Sequence, residues 1–276
     1  KDFQGKTVFI TGAGSGIGYQ TALVFADHGA NVVATDVNLA GLEQLRPEIE
    51  KLGPQCHCYS LDVTDETAYI ALAEQLAESG PLPDIVINNA GLGVISPFLE
   101  TSTGDWRLTL DVNVLGVALG CRLFSALWKQ RAVPGHLVNV SSMAAFSPPA
   151  NLSAYVASKY AVEGLSEVLA MELQAYDIAV SCVHPGVINT AIVHNSALMK
   201  IDRVQIERLQ RHYVEEGVHP RVVAEDILKG VRNKAGTILS GKDVGRIAFL
   251  KRLLPRKVFR KVLIGASRKI GYLPEK

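Results

Sequence analysis

Short apolar segments alternate with longer segments of helical periodicity over most of the chain. Val8-Phe9-Ile10 and Ile85-Val86-Ile87 are apolar at every position, which is typical of strands that are buried on both faces of a sheet. The pattern predicts strands over residues 6–11, 31–35, 56–61, 84–88, 136–141, 178–184 and 237–240. It predicts helices over residues 17–28, 39–52, 65–78, 105–131, 152–176 and 221–234, with one or two more within 190–216. Strands that alternate with helices favour an α/β fold with a parallel sheet covered on both faces, and no linker divides the chain into domains.

Length and composition exclude several classes of protein. With 276 residues, 48% hydrophobic and 20% charged, the chain has enough apolar material for one folded domain and is not disordered. No apolar run approaches the roughly 20 residues that span a bilayer, and the first residues show no apolar leader segment. Cys56 and Cys58 lack the spacing of a zinc site and are expected to be thiols on a strand. We expect no metal, no nucleic-acid partner, and a location in the reducing cytoplasm.

Charge is distributed unevenly along the chain. Residues 241–276 carry a net charge of +9, whereas residues 1–240 carry −8. Between residues 245 and 264 the apolar and basic positions follow a helical spacing, and Pro255 is expected to divide this stretch into two short helices. We therefore separate a body, residues 1–240, from a basic amphipathic C-terminal extension, residues 241–276. Such an extension favours a partner or an anionic surface, although a solvated helix face would explain the charge as well.

The first predicted strand leads into a glycine-rich turn and then a helix, an arrangement that admits the pyrophosphate of a dinucleotide to the helix N-terminus. The residues expected to contribute are Gly12, Ser15, Gly16, Ile17 and Gly18. Asp36 ends the second strand, 18 residues after Gly18, where a carboxylate would accept hydrogen bonds from the adenosine ribose. The alternative is that Asp36 caps the following helix. Its charge would repel a 2′-phosphate, and no Arg or Lys lies at 13–15 or 35–40, so NAD is favoured over NADP.

A second group of polar residues has the composition of a proton-transfer site. Tyr155 and Lys159 lie one helical turn apart on the same face, where an ammonium would lower the pKa of the phenol. Ser141 and Ser142 follow the fifth strand at the carboxyl edge of the sheet, where ligands of open parallel sheets bind. Asn113 lies among apolar neighbours in a long helix and needs a hydrogen-bond partner.

These motifs together resemble those of the short-chain dehydrogenase/reductase family. The matching positions, spread in order over residues 5–190, are Thr11-Gly12-x3-Gly16-Ile17-Gly18, Asn88-Asn89-Ala90-Gly91, Asn113, Ser142, Tyr155-x3-Lys159 and Pro185-Gly186. The resemblance implies a doubly wound, Rossmann-type parallel sheet of about seven strands in a single domain. It also implies NAD(P)-linked oxidation of alcohols or reduction of carbonyls.

The resemblance implies a role for each matching residue. Tyr155 would be the general acid/base, and Lys159 would lower its pKa and bind the nicotinamide ribose. Ser142, 13 residues before the tyrosine, would polarise the substrate oxygen. Asn113 would hold, through its helix backbone, a water that links Lys159 to solvent. The remaining cofactor contacts that it implies are Asp62, Val63, Asn89, Ala90, Gly91, Pro185, Gly186, Val187, Ile188 and Thr190.

The segments expected to surround the substrate are residues 92–98, 143–153 and 187–216, with a lid within 190–216. Their apolar members are Leu92, Val94, Ile95, Phe98, Met143, Phe146, Leu152, Val187, Ile188, Ile192, Val193, Leu198 and Met199. We therefore expect a hydrophobic secondary alcohol or ketone that is lipid-, steroid- or retinoid-like. The alternative is a catalytically idle nucleotide-binding or dimerisation module of a larger fused protein, against which the complete set of catalytic residues argues.

Two surfaces are expected to make further contacts. The helices over 105–131 and 152–176 are expected to pair across a two-fold axis in a homodimer or homotetramer, as in the family. The extension is expected either to fold back and close the substrate cleft or to contact an anionic membrane surface through residues 245–264. A partner protein is the third alternative for the extension.

Overall fold

Seven parallel strands form one sheet in the order β3-β2-β1-β4-β5-β6-β7 in the computed structural model, which describes residues 2–190 and 196–274. The strands are β1 (Thr7–Thr11), β2 (Asn31–Asp36), β3 (Cys56–Ser60), β4 (Ile85–Asn88), β5 (Gly135–Val140), β6 (Ile178–Pro185) and β7 (Thr237–Ser240). Each predicted strand is present, with ends that differ by at most one residue from the prediction. The strand order reverses between β1 and β4, so the carboxyl ends of these strands flank a crevice suited to a ligand. The predicted doubly wound, seven-stranded α/β fold is confirmed.

Helices cover both faces of the sheet and continue beyond its last strand. They are α1 (Gly16–Asp27), α2 (Leu39–Leu52), α3 (Glu66–Glu78), α4 (Thr103–Leu110), α5 (Gly116–Arg131), α6 (Ser153–Glu172), α7 (Arg203–Glu216), α8 (Pro220–Arg232), α9 (Val244–Leu253) and α10 (Arg256–Ile270). Short 3₁₀ turns occupy Phe98–Glu100, Met143–Ala145, Gln174–Tyr176 and Ser196–Leu198. The predicted helix over 152–176 therefore ends at Glu172, and its last residues form one of these turns.

Two apolar layers hold the helices against the sheet. Val8 and Ile10 face the layer formed with α1, α2 and α8, whereas Phe9 faces the layer formed with α3, α5 and α6. In the second layer Phe124 packs on Phe9 with a distance of 4.8 Å between the ring centroids. Burial on both sides explains why the strands of this sheet are apolar at consecutive positions.

The predicted helix over 105–131 begins earlier and is not regular. Ser102 caps it, because its hydroxyl accepts from the backbone N–H of Asp105 while the Asp105 carboxylate accepts from the backbone N–H of Ser102. Between α4 and α5 the segment Asp111–Leu115 forms a π turn, in which backbone bonds span five residues instead of four. Periodicity gave no sign of this turn, since its residues continue the helical pattern.

This continuous helix, Thr103–Arg131, spans 29 residues and is long and apolar enough to cross a membrane by length and composition. That finding differs from the expectation that no apolar segment approaches such a length. In the structure α5 directs Val117, Phe124 and Trp128 into the core beneath the sheet. These buried contacts are those of a core helix.

The C-terminal extension folds back against the body. As predicted, Pro255 separates two helices, α9 and α10. The backbone N–H of Ala150 donates to the Ser267 hydroxyl at 3.3 Å, and Asn151 Nδ2 donates to the carbonyl of Tyr272 at 2.7 Å. On the other side Gln205 Nε2 of α7 donates to the carbonyl of Gly271 at 3.1 Å. The end of α10 and the residues after it are thus bonded both to the loop before α6 and to α7.

Candidate active site

A cavity of about 690 Å³ opens at the carboxyl edge of the sheet. It runs from the turn after β1, past the ends of β2, β4, β5 and β6, to α7 and α10. The predicted cofactor residues that line it are Gly12, Ser15, Gly16, Ile17, Asp36, Asp62, Val63, Asn89, Ala90, Gly91, Tyr155, Lys159, Pro185, Gly186, Val187, Ile188 and Thr190. Ser142 also lines the cavity, whereas Gly18 and Asn113 lie behind its wall.

The turn after β1 is held by the residues that follow β4. Gly12 has a φ of +68°, and a Cβ there would lie 2.9 Å from the Cα of Ala90. Asn89 Nδ2 donates to the carbonyls of Thr11 and Gly12, at 3.0 and 3.1 Å. A Cβ on Gly18 would collide with the Gly12 carbonyl, so Gly18 lets α1 pack against the turn and does not itself face the cavity.

Asp36 is held at the edge of the cavity by two backbone groups. Its carboxylate oxygens accept from the N–H of Gly14 at 2.8 Å and from the N–H of Asn38 at 2.8 Å. The cap of α2 is Asn38, whose side chain accepts from the N–H of Gly41. The alternative explanation of Asp36 as the helix cap is therefore wrong.

Lys159 is buried within the sheet edge and bonded there. Its Nζ donates to the carbonyl of Val140 at 2.9 Å, and the side chain is 4% exposed. Burial lowers the pKa of Lys159 to about 8, because removing the ammonium from water disfavours its charge. A Cβ on Gly91 would lie 3.2 Å from Asn113 Oδ1 and 3.4 Å from this Nζ, so the loop after β4 passes close to both side chains.

Tyr155 differs from the expectation drawn from its spacing to Lys159. Burial raises the pKa of Tyr155 to about 12, and the neighbouring Ser142 hydroxyl offsets only part of this rise. The ammonium of Lys159 lies 5.6 Å from the centroid of the phenol ring and donates its hydrogen bond to the Val140 carbonyl. The expectation that Lys159 lowers the pKa of Tyr155 is therefore wrong for the chain without a bound cofactor.

The two serines at the end of β5 have different surroundings. The Ser141 hydroxyl is buried and donates to the backbone carbonyl of Lys159 at 2.8 Å. The Ser142 hydroxyl accepts from the N–H of Ala144 at 3.1 Å, which leaves its own proton available to the cavity. Geometry and the family resemblance thus select the same residue, Ser142.

Asn113 joins three elements from within the π turn. Its Oδ1 accepts from the N–H of Leu92 at 2.9 Å, and its Nδ2 donates to the carbonyl of Leu92 at 2.8 Å and to the hydroxyl of Ser158 at 2.9 Å. The side chain is completely buried. Asn113 therefore positions the loop after β4 beside α6, the helix that carries Tyr155 and Lys159.

The substrate end of the cavity is largely apolar and only partly as predicted. Of the expected residues, the cavity is lined by Leu92, Ile95, Met143, Leu152, Val187, Ile188 and Leu198. Val94, Phe146 and Met199 are buried in the core instead, and Phe98 is 64% exposed on the surface. Ile192 and Val193 lie outside the described residues.

Sequence reasoning placed residues 187–216 around the substrate and gave closure of the cleft by the extension as one expectation, but it did not name the side chains by which α7 and the extension line the cavity. These are His212, Tyr213, Leu263, Ala266, Ser267, Ile270 and Tyr272. Neither segment carries a motif, and tertiary folding alone brings them to the cavity. The signal in the sequence that could have pointed to these walls was an aromatic residue in each segment, Tyr213 in α7 and Tyr272 in the extension.

The cavity fits a dinucleotide on its own geometry. Ser15 begins α1 without a side-chain cap, so N–H groups of the first turn remain available to an anion. Gly16 has a φ of +56°, and a Cβ there would lie 3.3 Å from the side chain of Thr190, which would narrow the passage between them. Asp36 at one end could accept hydrogen bonds from the hydroxyls of one ribose, and Lys159 at the other end could donate to those of the second.

Known proteins resemble the chain over most of its length. A family model for the short chain dehydrogenase matches residues 6–200. Probable oxidoreductase EphD of Mycobacterium tuberculosis is 38% identical over 263 residues, which cover 92% of this chain but only 44% of EphD. C alpha-dehydrogenase of Sphingobium sp. strain SYK-6 is 32% identical over 253 residues, or 88% of this chain and 83% of that protein.

A solved structure extends the likeness to the whole fold. The crystal structure of a short chain dehydrogenase/reductase from Burkholderia phymatum in complex with NAD has a TM-score of 0.83 at 28% identity, and the match covers 95% of this chain and 96% of that chain. The match of the family model, the seven-stranded sheet and the relatives agree. The chain belongs to the short-chain dehydrogenase family.

Proposed function

We propose that the chain interconverts a bulky apolar secondary alcohol and its ketone with NAD as the hydride carrier, and that Tyr155 is the general acid/base. The observation that carries this proposal is the convergence of Tyr155, Lys159 and Ser142 on one cavity whose far wall is apolar. A hydroxyl, a phenol and an ammonium beside a dinucleotide-shaped cleft are what alcohol oxidation requires.

In the oxidation direction the phenolate oxygen of Tyr155 takes the proton of the substrate hydroxyl. The Ser142 hydroxyl donates a hydrogen bond to the same substrate oxygen and orients it. NAD⁺, when bound, would supply the acceptor for a hydride from the carbinol carbon of the alcohol, and Tyr155 would hold the hydroxyl proton. Lys159 would hold the nicotinamide ribose.

NAD is proposed over NADP because of the charge at the adenosine end. The Asp36 carboxylate lines the cavity there, and the neighbouring lining residues Val37 and Asp62 supply no positive charge. A 2′-phosphate would meet two carboxylates without a guanidinium or ammonium among these residues to offset them.

The apolar wall supports a hydrophobic substrate. Leu92, Ile95, Leu152 and Leu198 face the cavity, and Leu263 and Ile270 of the extension complete this side. Burying an alkyl or aryl body against these side chains stabilises the complex by about 25 cal/mol per Å² of apolar surface.

The test is the formation of NADH, followed by its absorbance, with a panel of aliphatic, aryl and steroid secondary alcohols and with NAD or NADP. Turnover of apolar alcohols with NAD is expected. The chain spans less than half of EphD, so a catalytically idle nucleotide-binding module of a larger fused protein is the second candidate. Binding of NADH without turnover of any alcohol or ketone would favour that second candidate.

The extension and the long helices are proposed to make external contacts. Phe249, Leu253 and Val262 of the extension are more than half exposed, and they lie among basic residues. This combination suits an anionic membrane surface. Leu115, at the end of the π turn before α5, is 61% exposed, and Met171 on α6 is 71% exposed. These exposed apolar side chains suit pairing of the two helices in a homodimer or homotetramer.

A further inference from the structure

Two tyrosines outside the family motifs meet in the wall of the substrate cavity. Tyr213 comes from α7, and Tyr272 follows α10 in the extension. Their hydroxyl oxygens are 2.8 Å apart, and both residues line the cavity together with Tyr155. Two residues 59 positions apart in the chain thus form one hydrogen-bonded pair of hydroxyls in this wall.

The position of Tyr272 is built into the fold. Gly271 before it has a φ of +107°, a conformation that favours glycine, and its carbonyl accepts from Gln205 Nε2. The carbonyl of Tyr272 accepts from Asn151 Nδ2 at 2.7 Å. The side chain is 5% exposed. The phenol is therefore held from two sides and does not lie on the surface by chance.

The surroundings of the two phenols are otherwise apolar. Ile95, Leu152, Met199 and Leu209 form the buried cluster that contains Tyr272. A hydroxyl in such a cluster costs free energy unless it is hydrogen-bonded, so two phenylalanines would satisfy packing alone. The presence of hydroxyls on both rings points to a polar ligand.

The pair has one proton to spare. Each phenol has one donor, and in their mutual bond one hydroxyl donates and the other accepts. Among the described residues these hydroxyls are hydrogen-bonded to each other and to no other group. The accepting hydroxyl therefore keeps its own O–H for a group inside the cavity.

Both phenols remain neutral donors at physiological pH. Burial raises the pKa of Tyr213, and burial together with the neighbouring phenols Tyr213 and Tyr155 raises the pKa of Tyr272 well above 10. Tyr155 packs against the same buried cluster as the two phenols, so the pair lies close to the proposed acid/base.

We propose that the Tyr213–Tyr272 pair donates a hydrogen bond to a second oxygen of the substrate, an ether or carbonyl oxygen set apart from the reacting carbon. The substrate class is then an apolar secondary alcohol, or its ketone, that carries an additional hydrogen-bond acceptor. This inference rests on the proposed function and adds a specificity element that the extension supplies.

The experiment compares substrates that differ by one oxygen. The probes are 4-phenyl-2-butanol and its ortho-, meta- and para-methoxyphenyl analogues, together with the corresponding ketones. Wild type, Tyr213→Phe, Tyr272→Phe and the double variant are compared by kcat/KM for the alcohols and, without cofactor, by calorimetric binding of the ketones. Tyr176→Phe, on an exposed ring away from the cavity, is the matched control.

Wild type and the control are expected to prefer at least one methoxy isomer over the unsubstituted alcohol by about fivefold, the value of one neutral hydrogen bond. The double variant should lose this preference, measured as the ratio of kcat/KM for the methoxy alcohol to kcat/KM for 4-phenyl-2-butanol. Of the two single variants, the one that removes the hydroxyl facing the substrate should also lose the preference. The other single variant should still prefer the methoxy isomer.

Two results would overturn the inference, and each differs from failure of the proposed function. No preference among the isomers in either readout, or a preference that survives in the double variant, contradicts a role for the pair. Binding of the ketones with the expected preference but without turnover of any alcohol would contradict the proposed activity and leave the binding role supported.

Discussion

At the scale of single residues, Tyr155 and the two serines after β5 offer the sharpest test of the proposed chemistry. Tyr155→Phe should retain the fold and NADH binding but lose about 10²–10⁴-fold in turnover, the usual contribution of a positioned acid/base. Ser142→Ala should also reduce turnover strongly. Ser141→Ala is the matched control, because that hydroxyl is buried and its proton is donated to the Lys159 carbonyl. Steady-state kinetics measure all three variants.

The raised pKa of Tyr155 sets the direction of the pH dependence. A phenol with a pKa of about 12 is protonated at neutral pH, so the base form needed for oxidation becomes more abundant as the pH rises. We expect wild-type oxidation to accelerate with pH and Tyr155→Phe to lose that slope. Equal slopes in the two proteins, or a Ser141→Ala effect larger than that of Ser142→Ala, would contradict the assignment.

Asp36 tests the choice of cofactor. Asp36→Ala removes the carboxylate that would bind the adenosine ribose and repel a 2′-phosphate. We expect a higher KM for NAD and a smaller discrimination against NADP, measured as the ratio of kcat/KM values for the two cofactors. Glu43→Ala, which removes an exposed carboxylate of α2 that does not line the cavity, is the control and should change neither value. A wild-type preference for NADP would contradict the electrostatic argument.

The residues found from sequence and those missed differ in what constrains them. Gly12, Asp36, Ser142 and Tyr155 could be identified because their chemistry requires fixed residue types at fixed spacing. Tyr272 could not, because any segment that folds over the cleft can supply such a wall. The pKa of Tyr155 was misjudged for a related reason, since spacing along a helix fixes proximity but does not fix burial.

At the scale of elements, the π turn Asp111–Leu115 positions the loop after β4 and helix α6 through the Asn113 side chain. Asn113→Ala would leave the N–H and carbonyl of Leu92 and the hydroxyl of Ser158 without this partner. We expect a loss of about 1–3 kcal/mol in the free energy of unfolding, measured in urea, together with reduced turnover. The control is Thr109→Val, which should lose less of both, because the Thr109 hydroxyl donates to the Asp105 carbonyl of its own helix. Unchanged stability and turnover in Asn113→Ala would contradict this role.

The sequence allowed the strands and most helices to be predicted, but not the irregular turn within the helix over 105–131. Strands β1 and β4 were recognised from short apolar runs, which are typical of strands buried on both faces of a sheet. The π turn was invisible because its residues keep the helical pattern. The start of α4 was readable in principle, since Ser102 and Asp105 have the spacing of a capping box.

At the scale of the whole molecule, the exposed face of the extension predicts membrane contact. Phe249→Ser/Leu253→Ser should reduce sedimentation with phosphatidylcholine–phosphatidylserine vesicles and leave the KM for a water-soluble alcohol unchanged. Leu99→Ser, which removes an apolar residue 94% exposed elsewhere on the body, is the control. Equal sedimentation of wild type with phosphatidylcholine vesicles alone, or none with either kind, would contradict an anionic-surface role.

Self-association is the second prediction for the whole molecule. If α5 and α6 pair between copies, wild type should scatter light as a dimer or tetramer, and Met171→Lys should dissociate it by placing like charges in the interface. Met199→Leu, buried in the cluster beside the cavity, should leave the mass unchanged. A monomeric wild type would contradict the prediction.

The π turn has a consequence for the chain lengths that this fold tolerates. A regular helix closes its bonds over four residues, so the turn holds one residue more than the helix needs. Deleting one residue within 111–115 would restore the regular ladder while Val117, Phe124 and Trp128 still face the sheet. Such a shortened chain would retain its core but swing the Asn113 amide away from Leu92 and Ser158. The length of this helix is thus set by the site that it serves, and a single deletion there would separate folding from catalysis.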